Sequence, residues 1–221
     1  MTAVRARVRI WDLPTRLFHW VLAAVVVLSF TTGKLGGDWL EWHFRSGYSV
    51  LALLLFRLLW GFAGARYARF ASFLPSLARV WRTLQSSESA VPARAGHSDI
   101  GTLSVYALLA ALVVQASIGL FSNDGTFNEG PWARFVSSAM SDRLSTLHYY
   151  NHWLIAVLVA LHIAAVLFYL LARDEDLITP MLTGDKIGID APAADDGAAT
   201  RWRAAVLAAI AGGAVFYLVT L

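Results

Sequence analysis

Cysteine is absent from the 221 residues of this chain. Its absence excludes disulfide bonds, thiolate metal sites, iron–sulfur clusters and haem attached covalently through a C-x-x-C-H motif. A metal bound by this protein therefore has histidine as its main ligand, with carboxylates as the other available donors.

Charged residues are also scarce. They make up 15% of the chain, whereas 57% of it is hydrophobic and the mean hydropathy is +0.56. A soluble domain of this length needs more polar surface to cover its core. The composition thus predicts an integral membrane protein in contact with membrane lipid. We expect no nucleic acid among its partners. The formal net charge of +3 is small, so the placement of the charges is more informative than their sum.

Five apolar segments are each close to the roughly 20 residues that a tilted membrane-spanning helix needs. They are too continuously apolar for the alternating strands of a membrane barrel. We therefore predict an all-α integral membrane protein: a four-helix transmembrane bundle within residues 1–187, a polar cytoplasmic linker at 188–202 and a fifth, C-terminal transmembrane helix at 203–221. The apolar segments are residues 16–33, 43–64, 101–121, 146–171 and 203–221.

Basic residues predict the orientation, because cytoplasmic loops carry an excess of lysine and arginine. Four lie before or at the start of the first segment, five lie between the second and third, and four lie after the fourth, up to the first residue of the fifth, against four on the other side. The N-terminus is therefore expected in the cytoplasm and the C-terminus outside. Apolar residues on one helical face of residues 69–84 predict a helix in the cytoplasmic interface, and residues 131–140 are expected to lie similarly outside.

Four of the six histidines fall at two depths of the predicted bundle. His148 and His162 are fourteen residues apart on the fourth segment, so they share a helical face to within about 40° and lie about 21 Å apart along the axis. His43 lies at the depth of His148, near the outer surface. His19 lies at the depth of His162, toward the cytoplasm. Bis-histidine ligation of two haems stacked in a helix bundle needs this arrangement.

These histidines have other interpretations. A single histidine at a helix end is often an interfacial residue, but ionisable residues within membrane spans are rare and usually functional. A zinc site fits poorly, because each level offers too few ligands, and a proton relay does not need the pairing. Of the two remaining histidines, His152 is interpreted as a neighbour of the outer site or a contact to loops, with direct ligation as the less favoured alternative. His97 is interpreted as a surface loop residue that helps begin the third helix.

Three arginines are candidates to pair with the carboxylates of a haem. Arg57 lies fourteen residues after His43, so it falls on the same helical stripe at the cytoplasmic level. A buried arginine needs an anion, and a haem propionate would serve. Arg16 and Arg45 lie near the cytoplasmic and outer levels and are weaker candidates. Snorkelling of the side chain to the interface is the alternative, and we favour it for Arg16.

The sequence resembles a known family in three places. The motifs are DLPTRLFHW, WHFRSGY followed by LLLFRLLWGF, and two histidines separated by thirteen residues ahead of MLTGDK. They are similar to those of the bacterial cytochrome b561 family, itself related to the cytochrome b subunits of nickel–iron hydrogenases, over roughly residues 8–187. The resemblance implies four helices that hold two non-covalent b haems in the bacterial inner membrane. The implied iron ligands are His19, His43, His148 and His162.

The resemblance also implies a function, which is electron transfer between the quinone pool and a periplasmic redox partner such as a c-type cytochrome. We therefore predict a dihaem electron carrier whose partners are membrane lipid, quinone or quinol and that redox protein. A superoxide oxidase that reduces quinone is the first alternative, and it needs a cationic funnel near the outer site. A haem-free membrane anchor or assembly factor is the second. No short motif defines a quinone pocket or a catalytic residue.

Overall fold

Five long helices dominate the computed structural model, which describes residues 7–74, 76, 78, 81, 95–126 and 128–221. Three 3₁₀ turns connect them, at Gly37–Trp39, Phe70–Ser72 and Ala133–Phe135. In chain order the elements are β1 (Arg7–Arg9), α1 (Leu13–Leu35), α2 (Leu40–Ala63), α3 (Asp99–Gly119), α4 (Ser138–Ala172), α5 (Ile178–Thr183), β2 (Asp185–Ile187) and α6 (Ala198–Thr220).

The five long helices α1, α2, α3, α4 and α6 are all apolar and long enough to cross a membrane. The prediction of an all-α membrane protein with a four-helix bundle and a fifth helix is therefore confirmed. Helix α4 has 35 residues, well beyond the roughly 20 that a span needs. Its first turns consequently extend past the apolar segment that the sequence indicated.

Helix α2 lies at the centre of the packing. It contacts α1, α3 and α6, and α3 in turn packs along α4. Buried side chains form two apolar clusters, one where α6 meets α1 and α2, and one where α2, α3 and α4 meet. The first contains Phe18, Phe56, Trp60, Ala204 and Ala211. The second contains Val50, Leu54, Ala111, Leu112 and Ile155.

The end of the bundle that carries the N-terminus, called the lower end here, is closed by a two-stranded sheet. Strand β1 pairs antiparallel with β2. The Ala194 amide donates to the Arg9 carbonyl at 2.7 Å, and the Arg9 guanidinium donates to the Asp196 carboxylate at 2.7 Å. The segment before α6 is thereby fixed to the start of the chain. The opposite end is called the upper end.

Two loop predictions meet different outcomes. Residues 131–140 do not form the predicted interfacial helix, because a 3₁₀ turn ends at Phe135 and the Ser137 side chain then caps α4 by accepting from the Met140 amide. Most of the helix predicted over residues 69–84 lies outside the described residues, as do four of the arginines used to predict orientation. Those four are Arg5, Arg79, Arg82 and Arg94.

Asp12 anchors the start of α1. Its carboxylate is fully buried and accepts hydrogen bonds from the Thr15 amide at 2.8 Å and from the Trp60 indole at 3.3 Å. Burial raises the pKa of Asp12 above its ordinary value, and the hydrogen bonds from Thr15 and Trp60 act in the opposite direction. Asp12 therefore joins the N-terminus of α1 to the end of α2.

Replacing Asp12 should measure this connection. Asp12→Ala is expected to lower the free energy of unfolding by about 2 kcal/mol, because a helix cap is lost and buried donors are left unpaired. Asp12→Asn should lose less, since its amide oxygen accepts the same bonds and the cost of a buried charge disappears. Unfolding in detergent followed by circular dichroism measures both. Equal stability of Asp12→Ala and the unsubstituted chain would contradict this role.

Candidate functional site

Two histidines face each other at the upper end. His43 on α2 and His148 on α4 have ring centroids 6.0 Å apart. Two imidazoles that bind one metal ion from opposite sides, at about 2.0 Å each, have ring centres about 6 Å apart. The spacing of this upper pair is therefore that of two axial ligands on a single metal.

The second ring nitrogen of each upper histidine meets a backbone carbonyl. Nδ1 of His43 lies 2.8 Å from the Ser29 carbonyl oxygen, and Nδ1 of His148 lies 3.1 Å from that of Gln115. A carbonyl only accepts, so each Nδ1 carries the proton and each Nε2 keeps its lone pair. A metal-ligating histidine commonly makes this second bond. Both rings are thus prepared to ligate through Nε2.

A glycine lies one helical turn after each of these carbonyls. A Cβ atom on Gly33 would come within 2.8 Å of Nδ1 of His43, and one on Gly119 within 3.0 Å of Cε1 of His148. Each imidazole therefore rests directly against the backbone of the neighbouring helix. The two halves of the upper site have the same arrangement. In each, a backbone carbonyl contacts Nδ1 of the histidine, and the glycine four residues later leaves room for the ring.

The upper pair opens into a cavity of about 400 Å³, within the range of cofactor sites. Gly47, one turn after His43, has open space where a Cβ would lie. Apolar side chains form the walls and polar ones line the mouth. The walls include Val26, Val50, Leu112, Ala116 and Ile155. The mouth includes Lys34, Ser122, Asn123, Asp124, Asn128 and Ser145.

A second histidine pair lies at the lower end. His19 on α1 and His162 on α4 have ring centroids 6.4 Å apart, so their spacing also suits one bridging metal. The indole of Trp20 packs edge-on against His19 at 4.9 Å. Nδ1 of His19 is buried and finds no hydrogen-bond partner among the described residues. The lower pair shares the spacing of the upper pair but not its carbonyl contacts.

Each level offers two ligands. Within the part of the chain that the structure describes, no three His, Asp or Glu side chains converge on one point that could hold a metal ion. Structural and catalytic zinc needs three or four protein ligands, whereas haem iron takes four nitrogens from the porphyrin and only its axial ligands from the protein. The donor sets at both levels therefore fit haem.

The predicted arginines occupy three different settings. Arg57 is 5% exposed, lies 4.8 Å from the Phe70 ring centroid, and has one guanidinium nitrogen, Nη1, without a partner among the described residues. Arg16 donates to the Leu182 carbonyl at 2.6 Å. Arg45 is exposed and pairs with Glu41, so the structure does not bring it to the cavity of the upper pair.

The remaining histidines differ from each other. His152 lines the upper cavity, as a neighbour of the upper pair. His97 lies in a loop, as predicted, but it is half-buried, because its ring packs 4.8 Å from that of Trp11 and 4.5 Å from that of Phe73. Ser98, not His97, caps α3. Trp11 and Phe73 thus partly cover a residue that the local sequence suggests is exposed.

Sequence reasoning did not identify the residues that orient His148. The Asn151 side chain donates to the Ala111 carbonyl at 3.0 Å and to the Gln115 side chain at 2.8 Å. Gln115 in turn donates to the His148 carbonyl at 3.1 Å. The sequence did contain a signal, since Gln115 and Asn151 are amide side chains within apolar membrane spans. Such polar groups commonly form hydrogen bonds between helices.

A membrane helix bundle with two facing imidazole pairs fits the class of membrane cytochromes. The comparisons agree with this class. The sequence pattern of the prokaryotic cytochrome b561 family matches residues 10–184, and the chain belongs to that family. It is thus a membrane b-type cytochrome of an electron-transfer family, with haem b as its cofactor.

Relatives carry a more specific description. A probable Ni/Fe-hydrogenase B-type cytochrome subunit of Azotobacter chroococcum mcd 1 is 24% identical over 82% of this chain and 87% of its own length. Another, from Escherichia coli K12, is described as a probable Ni/Fe-hydrogenase 1 B-type cytochrome subunit and is 23% identical over 79% of this chain and 88% of its own length. No solved structure gives a significant match.

Proposed function

We propose that this chain binds two b haems and transfers electrons across the bacterial inner membrane, between the quinone pool and a periplasmic redox partner. His19 and His162 would hold one haem, and His43 and His148 the other. The observation that carries the proposal is the pair of facing imidazoles at each end of one bundle, with centroids 6.4 and 6.0 Å apart.

Bis-histidine haem supplies one-electron transfer with no open iron position for a substrate. The residues of this chain hold and orient the ligand rings, and exclude water from them. The Ser29 and Gln115 carbonyls fix the upper imidazoles. Arg57 at the lower level is the main propionate partner in this proposal. Arg16 is a weaker candidate, because it donates to the Leu182 carbonyl, and Arg45, which pairs with Glu41, is the weakest of the three.

The lower end is cytoplasmic in this proposal, and the C-terminus is periplasmic. The support is the excess of basic residues in the lower loops. The upper cavity then faces the periplasm, and its polar mouth is where a soluble partner would exchange electrons. Quinone would approach the bundle from the lipid.

Two kinds of periplasmic partner fit. The resemblance suggested a c-type cytochrome, whereas the names of the relatives specify a nickel–iron hydrogenase. Either partner would meet the surface at the upper end of the bundle. Asn123, Asp124 and Asn128 at the cavity mouth supply a polar surface suited to a transient contact.

The superoxide-oxidase alternative depends on four outer cations, and two of them already have partners in the structure. The four are Lys34, Arg45, Arg134 and Arg143. Arg45 pairs with Glu41, and Arg134 donates to the carbonyl of the last residue, Leu221. Lys34 lies at the mouth and packs against the rings of Phe30, Tyr149 and Trp153. Asp124 shares that mouth, so the mouth has no strong positive bias.

Stopped-flow mixing with superoxide separates the alternatives. We expect slow reduction of the haems, and we expect Lys34→Gln to leave that rate within about twofold, because one cation opposite a carboxylate steers an anion weakly. Reduction near the steered limit of about 10⁸–10⁹ M⁻¹ s⁻¹, with a marked loss in Lys34→Gln, would favour the enzyme.

Quinol-loaded vesicles test the proposed function directly. Protein reconstituted in liposomes with quinol in the bilayer, and ferricyanide only in the outer solution, should reduce the ferricyanide much faster than protein-free liposomes do. His162→Ala should remove most of this acceleration, since it interrupts the lower site. No acceleration by the unsubstituted chain would contradict electron transfer from quinol.

A further inference from the structure

Buried polar atoms without partners cluster at the lower end. Of the five such nitrogens among the described residues, four lie there, and the fifth, Nε2 of His152, lies at the upper end. The four at the lower end are Nε of Arg16, Nδ1 of His19, Nη1 of Arg57 and Nδ1 of His97. A buried donor left unpaired costs about 1–3 kcal/mol. The concentration of such donors indicates a polar group that this end of the bundle is built to receive.

Arg57 is the most demanding of the four, because it carries a charge in an apolar setting. Phe70 and Phe73 cover its guanidinium at 4.8 and 5.8 Å. The buried carboxylate of Asp12 is occupied by Thr15 and Trp60, and no described carboxylate makes an ion pair with Arg57. Asp12 acts on Arg57 through space without a direct contact. A buried charge with no direct partner is unfavourable, so an anion in contact with this guanidinium would stabilise it.

The ring of Phe73 lies close to both His97 and Arg57. The ring centroid of Phe73 is 4.5 Å from that of His97 and 5.8 Å from Cζ of Arg57. Burial is the largest cause that lowers the pKa of His97, and together with the positive charge of Arg57 and smaller effects from His162 and His19 it brings this pKa to about 3. His97 is therefore held neutral here as a hydrogen-bond donor close to the lower histidine pair.

We propose that Arg57 and His97 together bind one carboxylate, the propionate of the haem held by His19 and His162. The inference rests on the proposed function and adds His97 to the site. A carboxylate neutralises Arg57 and accepts from the N–H groups of both side chains, and charge-assisted bonds of this kind are the strong ones. A quinone headgroup also accepts hydrogen bonds, but it is neutral and leaves the arginine charge uncompensated.

The test is a redox titration of the full-length holoprotein, monitored optically, with Arg57→Lys and His97→Phe as variants. Arg57→Lys keeps the charge but not the planar fork. His97→Phe keeps the aromatic packing and removes the donor. Each should lower the midpoint potential of the lower haem and leave that of the upper haem unchanged, because a donor to the propionate favours the reduced, less positive iron. The propionate band in resonance Raman spectra should shift with it.

Arg66→Gln is the matched control, since it removes an exposed positive charge at the same end of the bundle. It should move neither potential. Unchanged potentials and an unchanged propionate band in both test variants would overturn the proposal, and so would a rise in the KM for quinol as their only effect. If the unsubstituted protein lacks a lower haem altogether, the proposed function fails instead, so the two failures are distinguishable.

Discussion

His162→Ala is expected to yield a protein with one b haem instead of two, in which the upper haem retains its potential. The substitution removes one of only two axial ligands at the lower level, where His19 faces His162 at a ring separation of 6.4 Å. The upper pair uses other residues, His43 and His148. An optical redox titration should resolve two transitions in the unsubstituted protein and one in this variant.

His148→Ala should have the complementary effect and remove only the upper transition. His152→Ala is the matched control, because this third histidine of α4 lines the same cavity as the upper pair but belongs to neither pair. It should retain both transitions. Retention of both transitions in His162→Ala or His148→Ala would mean that the pairing of the histidines is wrong.

Gly33→Val is expected to displace His43 and to cost the protein most of its upper haem. A Cβ at this position would come 2.8 Å from Nδ1 of His43, closer than a nonbonded contact permits, so the ring must leave the Ser29 carbonyl. The isopropyl group of valine makes the displacement larger than alanine would. Haem content and the upper transition of the redox titration measure the effect.

Gly213→Val on α6 is the control for this substitution. A Cβ on Gly213 meets no heavy atom within 4 Å, and valine is tolerated in a membrane helix. We expect two haems and unchanged potentials in that variant. Equal behaviour of Gly33→Val and Gly213→Val would show that the contact between Gly33 and His43 has no part in holding the site.

The fold was readable from the sequence because lipid imposes a simple constraint. A span must be helical and continuously apolar, so the five helices follow from hydropathy alone. Helical geometry placed His148 and His162 on nearly the same face of one helix. Matching depths in the bundle then paired His148 with His43 and His162 with His19. The structure brings both pairs together.

The contacts of the second ring nitrogens of the upper histidines could not be predicted from the sequence. They depend on which helices pack together and at what height. Gly33 and Gly119 are ordinary glycines in the sequence, and only the approach of an imidazole to the backbone reveals their role. The environment of His97 likewise depends on Trp11 and Phe73, which are distant in the chain. Contacts of a loop with residues distant in the chain leave no pattern in the local sequence, so they could not be predicted from it.

The central claim is that each of the two imidazole pairs holds one haem. The most direct measurement is the haem content of the unsubstituted protein, obtained from the pyridine haemochrome spectrum together with protein quantitation by amino-acid analysis. The account predicts two non-covalent b haems per chain. A value of one, or of none, in fully folded protein would contradict it.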